Sequence, residues 1–151
     1  MKKLTAVLIG LSLMVSLGGC TNYQPEKRSD GKVSGIQPMD ISKVEPFSYG
    51  PMIARVDVIS GKPEFRIWQF EKDGDIKTGV WESTPGKWHF RNAENHWEYC
   101  RIIEGESIIT EDGGEPHHVK AGDSFILHEG FSGTWEAVKT TRKDYVIRTR
   151  R

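Results

Sequence analysis

Glu94, His96 and Glu98 stand at alternate positions in one short stretch, and His89 and Asn92 precede them by a few residues. On a continuous strand such alternate residues point to one face, so both carboxylates and the imidazole would be aimed together. A catalytic divalent cation needs three protein ligands of N or O type, held by partners of their own. Glu98, His96, Glu94 and His89 are therefore the candidate metal ligands. Glu98 also admits chemistry without a metal. A buried carboxyl with no partner has its pKa raised and can give or take a proton, which makes Glu98 the candidate catalytic residue. Arg142 or Lys143 could instead supply its counter-charge. A third reading removes the chemistry: Glu94 and Asn95 form a loop and His96 faces solvent, because polar clusters between apolar segments are usually loops.

Other reactive residue types carry less. Cys100 lies two residues beyond Glu98 in an apolar run and reads as a small buried hydrophobe rather than a nucleophile. His117 and His118 are adjacent, which on a strand would send them to opposite faces, and they read as an exposed turn. There is no nucleotide fingerprint, phosphate loop or defensible Ser, His and Asp arrangement.

The elements that must position these residues read as short strands. Residues 65–70 alternate in part, 76–82 follow the Asp73-Gly74 turn signal, and 97–104 end at Gly105. Residues 106–110 and 117–120 flank Asp112-Gly113-Gly114, a hairpin signal, and 124–128, 134–140 and 144–149 complete the series. Many short strands with glycine-rich turns and no helical period predict an all-β sandwich or barrel. No internal repeat or low-complexity tract is visible.

Residues 79–136 carry a more specific pattern. From Gly86, five residues lead to Asn92, one more to Glu94, three intervene before Glu98, and six before Gly105. Gly122 is followed after five residues by His128, then Glu129 and Gly130, and after two more by Gly133. These spacings resemble the two motifs of the cupins, whose fold is a double-stranded β-helix, or jelly-roll, barrel. The resemblance implies that histidines usually occupy the positions of Asn92, Glu94 and Gly133, so one of four usual ligands, Glu98, remains. Gly79-Val80-Trp81-Glu82-Ser83-Thr84-Pro85-Gly86, Glu98-Tyr99-Cys100, Ala121-Gly122-Asp123, Gly130-Phe131-Ser132-Gly133-Thr134-Trp135-Glu136 and Arg142-Lys143 resemble more closely the small single-domain cupins of the ureidoglycine aminohydrolase and ethanolamine-utilisation branch.

That resemblance implies an inward Glu98, which by alternation turns Cys100 and Ile102 inward and Trp97, Tyr99, Arg101 and Ile103 outward. An outer face with Trp97, Tyr99 and Ile103 predicts a cover, either a strand over residues 52–58 or a second copy in a homodimer. Trp135 follows the side-chain-free Gly133 by two residues, and Trp81 belongs to the matching Gly-x-Trp element. They are either packing residues or walls of a ligand pocket, since such sites are mostly apolar with a few placed polar groups. The candidate pocket is then Trp81, Glu94, His96, Glu98 and Trp135.

Ahead of this domain, Lys2 and Lys3 precede an uncharged apolar run over 4–17, and Leu17-Gly18-Gly19-Cys20 follows. This describes a signal peptide too short for a comfortable membrane span, and the cysteine makes it resemble a bacterial lipoprotein leader. The expected organisation is a leader over 1–19, lipidation at Cys20, a flexible polar tether over 20–37 and one cupin domain over 38–151. Acylation of Cys20 by two or more chains gives stable anchoring. Thr21, by resemblance to enterobacterial lipoproteins, implies an outer membrane address facing the periplasm where the host has that membrane. The 21 basic and 21 acidic residues balance, and loss of Lys2 and Lys3 leaves about two excess negative charges. No basic stripe interleaved with aromatics precedes the Arg148, Arg150 and Arg151 tail, which excludes nucleic acid as an expected partner. The expected function is a membrane-tethered cupin binding a small polar metabolite. The alternatives are a metal-dependent enzyme resembling ureidoglycine aminohydrolase and a non-catalytic envelope scaffold. No cofactor beyond a divalent metal is expected.

Overall fold

A computed structural model describes residues 29–31, 35–48 and 56–151. The expected leader, Cys20 and most of the tether lie outside the described residues, as does Met52. Where the tether was expected to end, Gln37 donates from Nε2 to the Phe70 carbonyl at 2.7 Å and ties the chain to the domain. A 3-10 turn, Ile41–Lys43, follows, capped by the Asp40 carboxylate on Ser42.

Among the described residues eleven strands follow: β1 (Phe47–Ser48), β2 (Val56–Gly61), β3 (Phe65–Asp73), β4 (Ile76–Ser83), β5 (Gly86–Arg91), β6 (His96–Glu104), β7 (Glu106–Glu111), β8 (Pro116–Lys120), β9 (Ser124–Leu127), β10 (Ser132–Ala137) and β11 (Thr141–Thr149). They form two antiparallel sheets, ordered β1-β3-β4-β11-β6-β9 and β2-β5-β10-β7-β8, which face one another as a jelly-roll barrel. The all-β barrel expected from the sequence is the fold. No described helix is long and apolar enough to cross a membrane.

Alternation sorts the side chains. On β6, Glu98, Cys100 and Ile102 are buried inward, while Arg101 and Ile103 are exposed. On β11, Thr141, Lys143 and Tyr145 turn inward. With Phe65, Ile67, Trp81, Trp88, Ile109, Leu127 and Trp135 they form the core between the sheets. A smaller cluster of Trp68, Phe70 and Val80 lies on the outer side of β3 and β4, covered by Ile41 and Val44.

Several expectations shift. β5 lies where none was expected, although Lys87-Trp88-His89-Phe90-Arg91 alternates as a half-buried strand should. β10 ends at Ala137 rather than 140, because the Val138 and Lys139 amides both turn back to the Glu106 carbonyl. His117 and His118 are on a strand, not in a turn: they pair with Ile109 and Ile108, so His117 shares the inner face of the core residue Ile109. β2 does not cover Trp97 and Tyr99; it extends the other sheet by pairing with β5. Trp97 lies under the Arg148 guanidinium and the Tyr99 hydroxyl donates to Ser124, while Ile103 and Ile126 stay 41% and 45% exposed.

Candidate functional site

Glu98 is carried into the interior by β6, and β11 sends Lys143 to meet it. The Lys143 ammonium donates to Glu98 Oε1 at 2.9 Å and to Cys100 Sγ at 3.4 Å. Its Nζ stands 4.7 Å from the Trp135 ring centre and 5.1 Å from that of Trp81, so the charge is enclosed by two π faces and a carboxylate. Burial alone would raise the Glu98 pKa, but the Lys143 charge and its hydrogen bond, with His96 close by, hold it down to about 2. Burial likewise opposes the Lys143 charge, and its neighbours Cys100 and Glu98 outweigh that and raise its pKa above 10.5. Burial pushes the Cys100 thiol up to about 12, which leaves it no thiolate character at neutral pH.

The wall behind the pair is closed. Trp135 Nε1 donates to Ser107 Oγ at 2.9 Å, and that hydroxyl donates to Thr141 Oγ1 at 2.9 Å. Trp81, Trp88, Trp135 and Phe65 pack with ring centres 4.9–6.4 Å apart. Trp81 and Trp135, read from the sequence as either packing residues or pocket walls, are buried core residues around Lys143.

Of the expected metal ligands, the structure brings together two. His96 Nε2 lies 3.7 Å from Glu98 Oε2. His89, next to the core residue Trp88, faces the opposite side of β5 and bonds to Asp112 at 3.0 Å. The Glu94 carboxylate lies against Gly130, where a Cβ would stand 2.6 Å from its Oε2. Asn92, at a usual histidine position, has its amide nitrogen buried without a hydrogen-bond partner. At Gly133 a Cβ would collide with the Thr110 carbonyl oxygen and stand 2.9 Å from Phe131 Cζ, so no ligand side chain can project there. Among the described residues no three His, Cys, Asp or Glu side chains assemble a metal site. The residues present do not fit a resident divalent ion, because an ammonium already holds the place such an ion would take beside Glu98.

Open space lies elsewhere on the inner face. β8 and β9 are the terminal strands of the two sheets. A cleft of about 740 Å³ is lined by residues of both, with Ile109 and Phe131. The apolar part of its lining includes Ile109, Val119, Phe125, Leu127 and Phe131, and the polar part includes Glu111, His117, Asp123, His128 and Glu129. None of Trp81, Glu94, His96, Glu98 or Trp135 lines it. Neither Lys nor Arg lines it either, and Glu129 faces Arg148 and Arg150 at 3.5 Å. These residues were not foreseen as a site. The signal was the parity of Phe125 and Leu127 on β9 and of His117 and Val119 on β8.

With this geometry in hand, the chain can be set beside known proteins. It is similar to an ethanolamine utilization protein Q from Salmonella typhimurium, at TM-score 0.64 and 16% identity over 89% of this chain and 100% of that one. It is also similar to a protein of unknown function from Pseudomonas syringae pv. tomato, at TM-score 0.55 and 24% identity, covering 68% of this chain and 43% of the other. In sequence it is 28% identical over 147 residues to a cysteine–tRNA ligase from Endomicrobium trichonymphae, covering 82% of this chain. It spans only 29% of that ligase's length. The model of the EutQ-like cupin domain matches residues 70–145, half of the sequence, and the chain belongs to the EutQ-like cupin family.

Proposed function

We propose that the protein is a lipid-anchored cupin of the cell envelope that binds a small polar metabolite in the cleft between β8 and β9, without a resident metal. One observation carries this reading: the inner face is closely packed around Glu98 and Lys143, while the same face is only partly covered at Phe125 and Phe131, which line the cleft. The volume falls within the range of small-molecule sites, and an apolar floor with a few polar groups at its rim is their usual composition. Glu111 and Asp123, with no lysine or arginine in the lining, favour a neutral or cationic ligand over an anion. Binding rather than turnover is the reading, since Glu98 is neutralised by Lys143 and does not line the cleft. Lys2, Lys3, the apolar run over 4–17 and Cys20 support the anchor and a place at the envelope.

Amide NMR of the Cys20→Ser chain, titrated with polyols, primary amines and carboxylates, tests this reading. Shifts confined to residues around His117, Phe125 and Phe131 are expected, with amines or polyols ahead of carboxylates. Shifts centred on Glu98 and Trp135 would move the site to the barrel centre. Silence toward all three classes would leave the envelope scaffold as the better reading.

A further inference from the structure

We infer, resting on the reading of the β8 and β9 cleft as a small-molecule site, that this cleft selects a small organic cation, an alkylammonium whose head sits between Glu111 and the Phe131 ring. On β7, Glu111 shares the inward parity of Ser107 and Ile109, and it pairs across to Gly133 on β10. A Cβ built on Gly133 would stand 2.9 Å from both Glu111 Cα and Phe131 Cζ. The bare glycine thus lets the ring tip come up beside the residue that carries the carboxylate, and both line the cleft. Phe90 backs the ring, with centres 5.2 Å apart. A carboxylate next to an aromatic ring is the pairing that holds an ammonium.

The other charges of this region are engaged. Asp123 Oδ2 accepts from the Lys120 amide at 2.9 Å, and Glu129 faces Arg148 and Arg150 at 3.5 Å. Asp112 turns to the opposite face, where Ser132 Oγ donates to it at 2.6 Å and His89 bonds to it at 3.0 Å. Lys120 sits across from Glu106 on the outer face and does not line the cleft. Among the described residues no ion pair or side-chain hydrogen bond engages the Glu111 carboxylate. An anionic ligand would meet this charge with no cation in the lining to offset it, and a neutral ligand would gain only the contact with Phe125 and Leu127. An alkylammonium gains both.

The test is an amide NMR titration of the Cys20→Ser chain with n-butylammonium, 1-butanol and butyrate, which share a chain length and differ in charge. Butylammonium is expected to bind about tenfold more tightly than butanol, with butyrate weakest. Glu111→Gln, at an exposed position, should make amine and alcohol equal, whereas Asp112→Asn, the same charge change on the other face, should keep the preference. Intermolecular NOEs should join the methylene beside the nitrogen to the Phe131 ring. Equal binding of amine and alcohol by the unaltered chain, or a preference that survives Glu111→Gln, would overturn the inference and leave the cleft reading standing. A preference lost as fully in Asp112→Asn would belong to net charge and overturn it too, as would NOEs that place the methyl end, not the nitrogen end, at Phe131. Silence toward all three probes, or shifts centred on Glu98 and Trp135, would overturn both the inference and the cleft reading.

Discussion

Lys143 and Glu98 are one unit, and their titration gives the pair a pH signature. The folded Glu98 pKa is depressed from 4.5 to about 2, so its contribution to stability is complete above 4.5 and is lost as pH falls toward 2. The Lys143 pKa is raised, so its contribution is complete below 10.5 and is lost as pH climbs beyond that value. Urea denaturation from pH 6 to 2 is expected to show a loss that the Lys143→Met Glu98→Gln double variant lacks over the same window; identical pH profiles would remove the pair as the cause. Cys100, fully buried with its thiol pushed to about 12, should react with an aromatic disulfide in the Cys20→Ser chain only as fast as the protein opens. Reaction at the rate of a free thiol would contradict its burial. The sequence named Arg142 and Lys143 as rival counter-charges and could not choose between them. Plain alternation along β11 decides: Arg142 turns out to Glu82 and Glu104, and Lys143 turns in beside Thr141 and Tyr145.

Strands that were legible from their own residues are those whose apolar alternation is plain, such as β6 and β9. What local pattern cannot give is the partner. The sheet orders set β11 between β4 and β6, and only this non-local pairing brings Lys143 across to Glu98. Likewise the parity of β8 puts His117 on an inner face, but its exposure there follows from β8 ending its sheet. Gly133 illustrates the same point. In the sequence its importance was a missing ligand; in the fold it is a place where β7 and Phe131 leave no room for a Cβ. Gly133→Ala should therefore lower stability by about 2 kcal/mol or more, read from the denaturation midpoint at constant slope, through overpacking against the backbone. An unchanged midpoint would show that the neighbouring strand yields freely.

For the whole molecule, the barrel was legible because glycine spacing and strand alternation agreed over residues 79–136, and the family match over 70–145 contains that whole stretch. The site was less so, because a motif with replaced ligands says what is missing and not what fills the space. Lipid attachment predicts that the full chain fractionates with membranes in a bacterial host and that Cys20→Ser releases it to the soluble fraction; membrane retention of Cys20→Ser would remove the anchor from the account. The central claim is that a lysine, not a metal, balances Glu98. Elemental analysis of the Lys143-containing chain, purified without chelator and compared with Glu98→Gln, tests it most directly. The account predicts no stoichiometric metal in either protein, and one metal per chain that disappears with Glu98→Gln would contradict it.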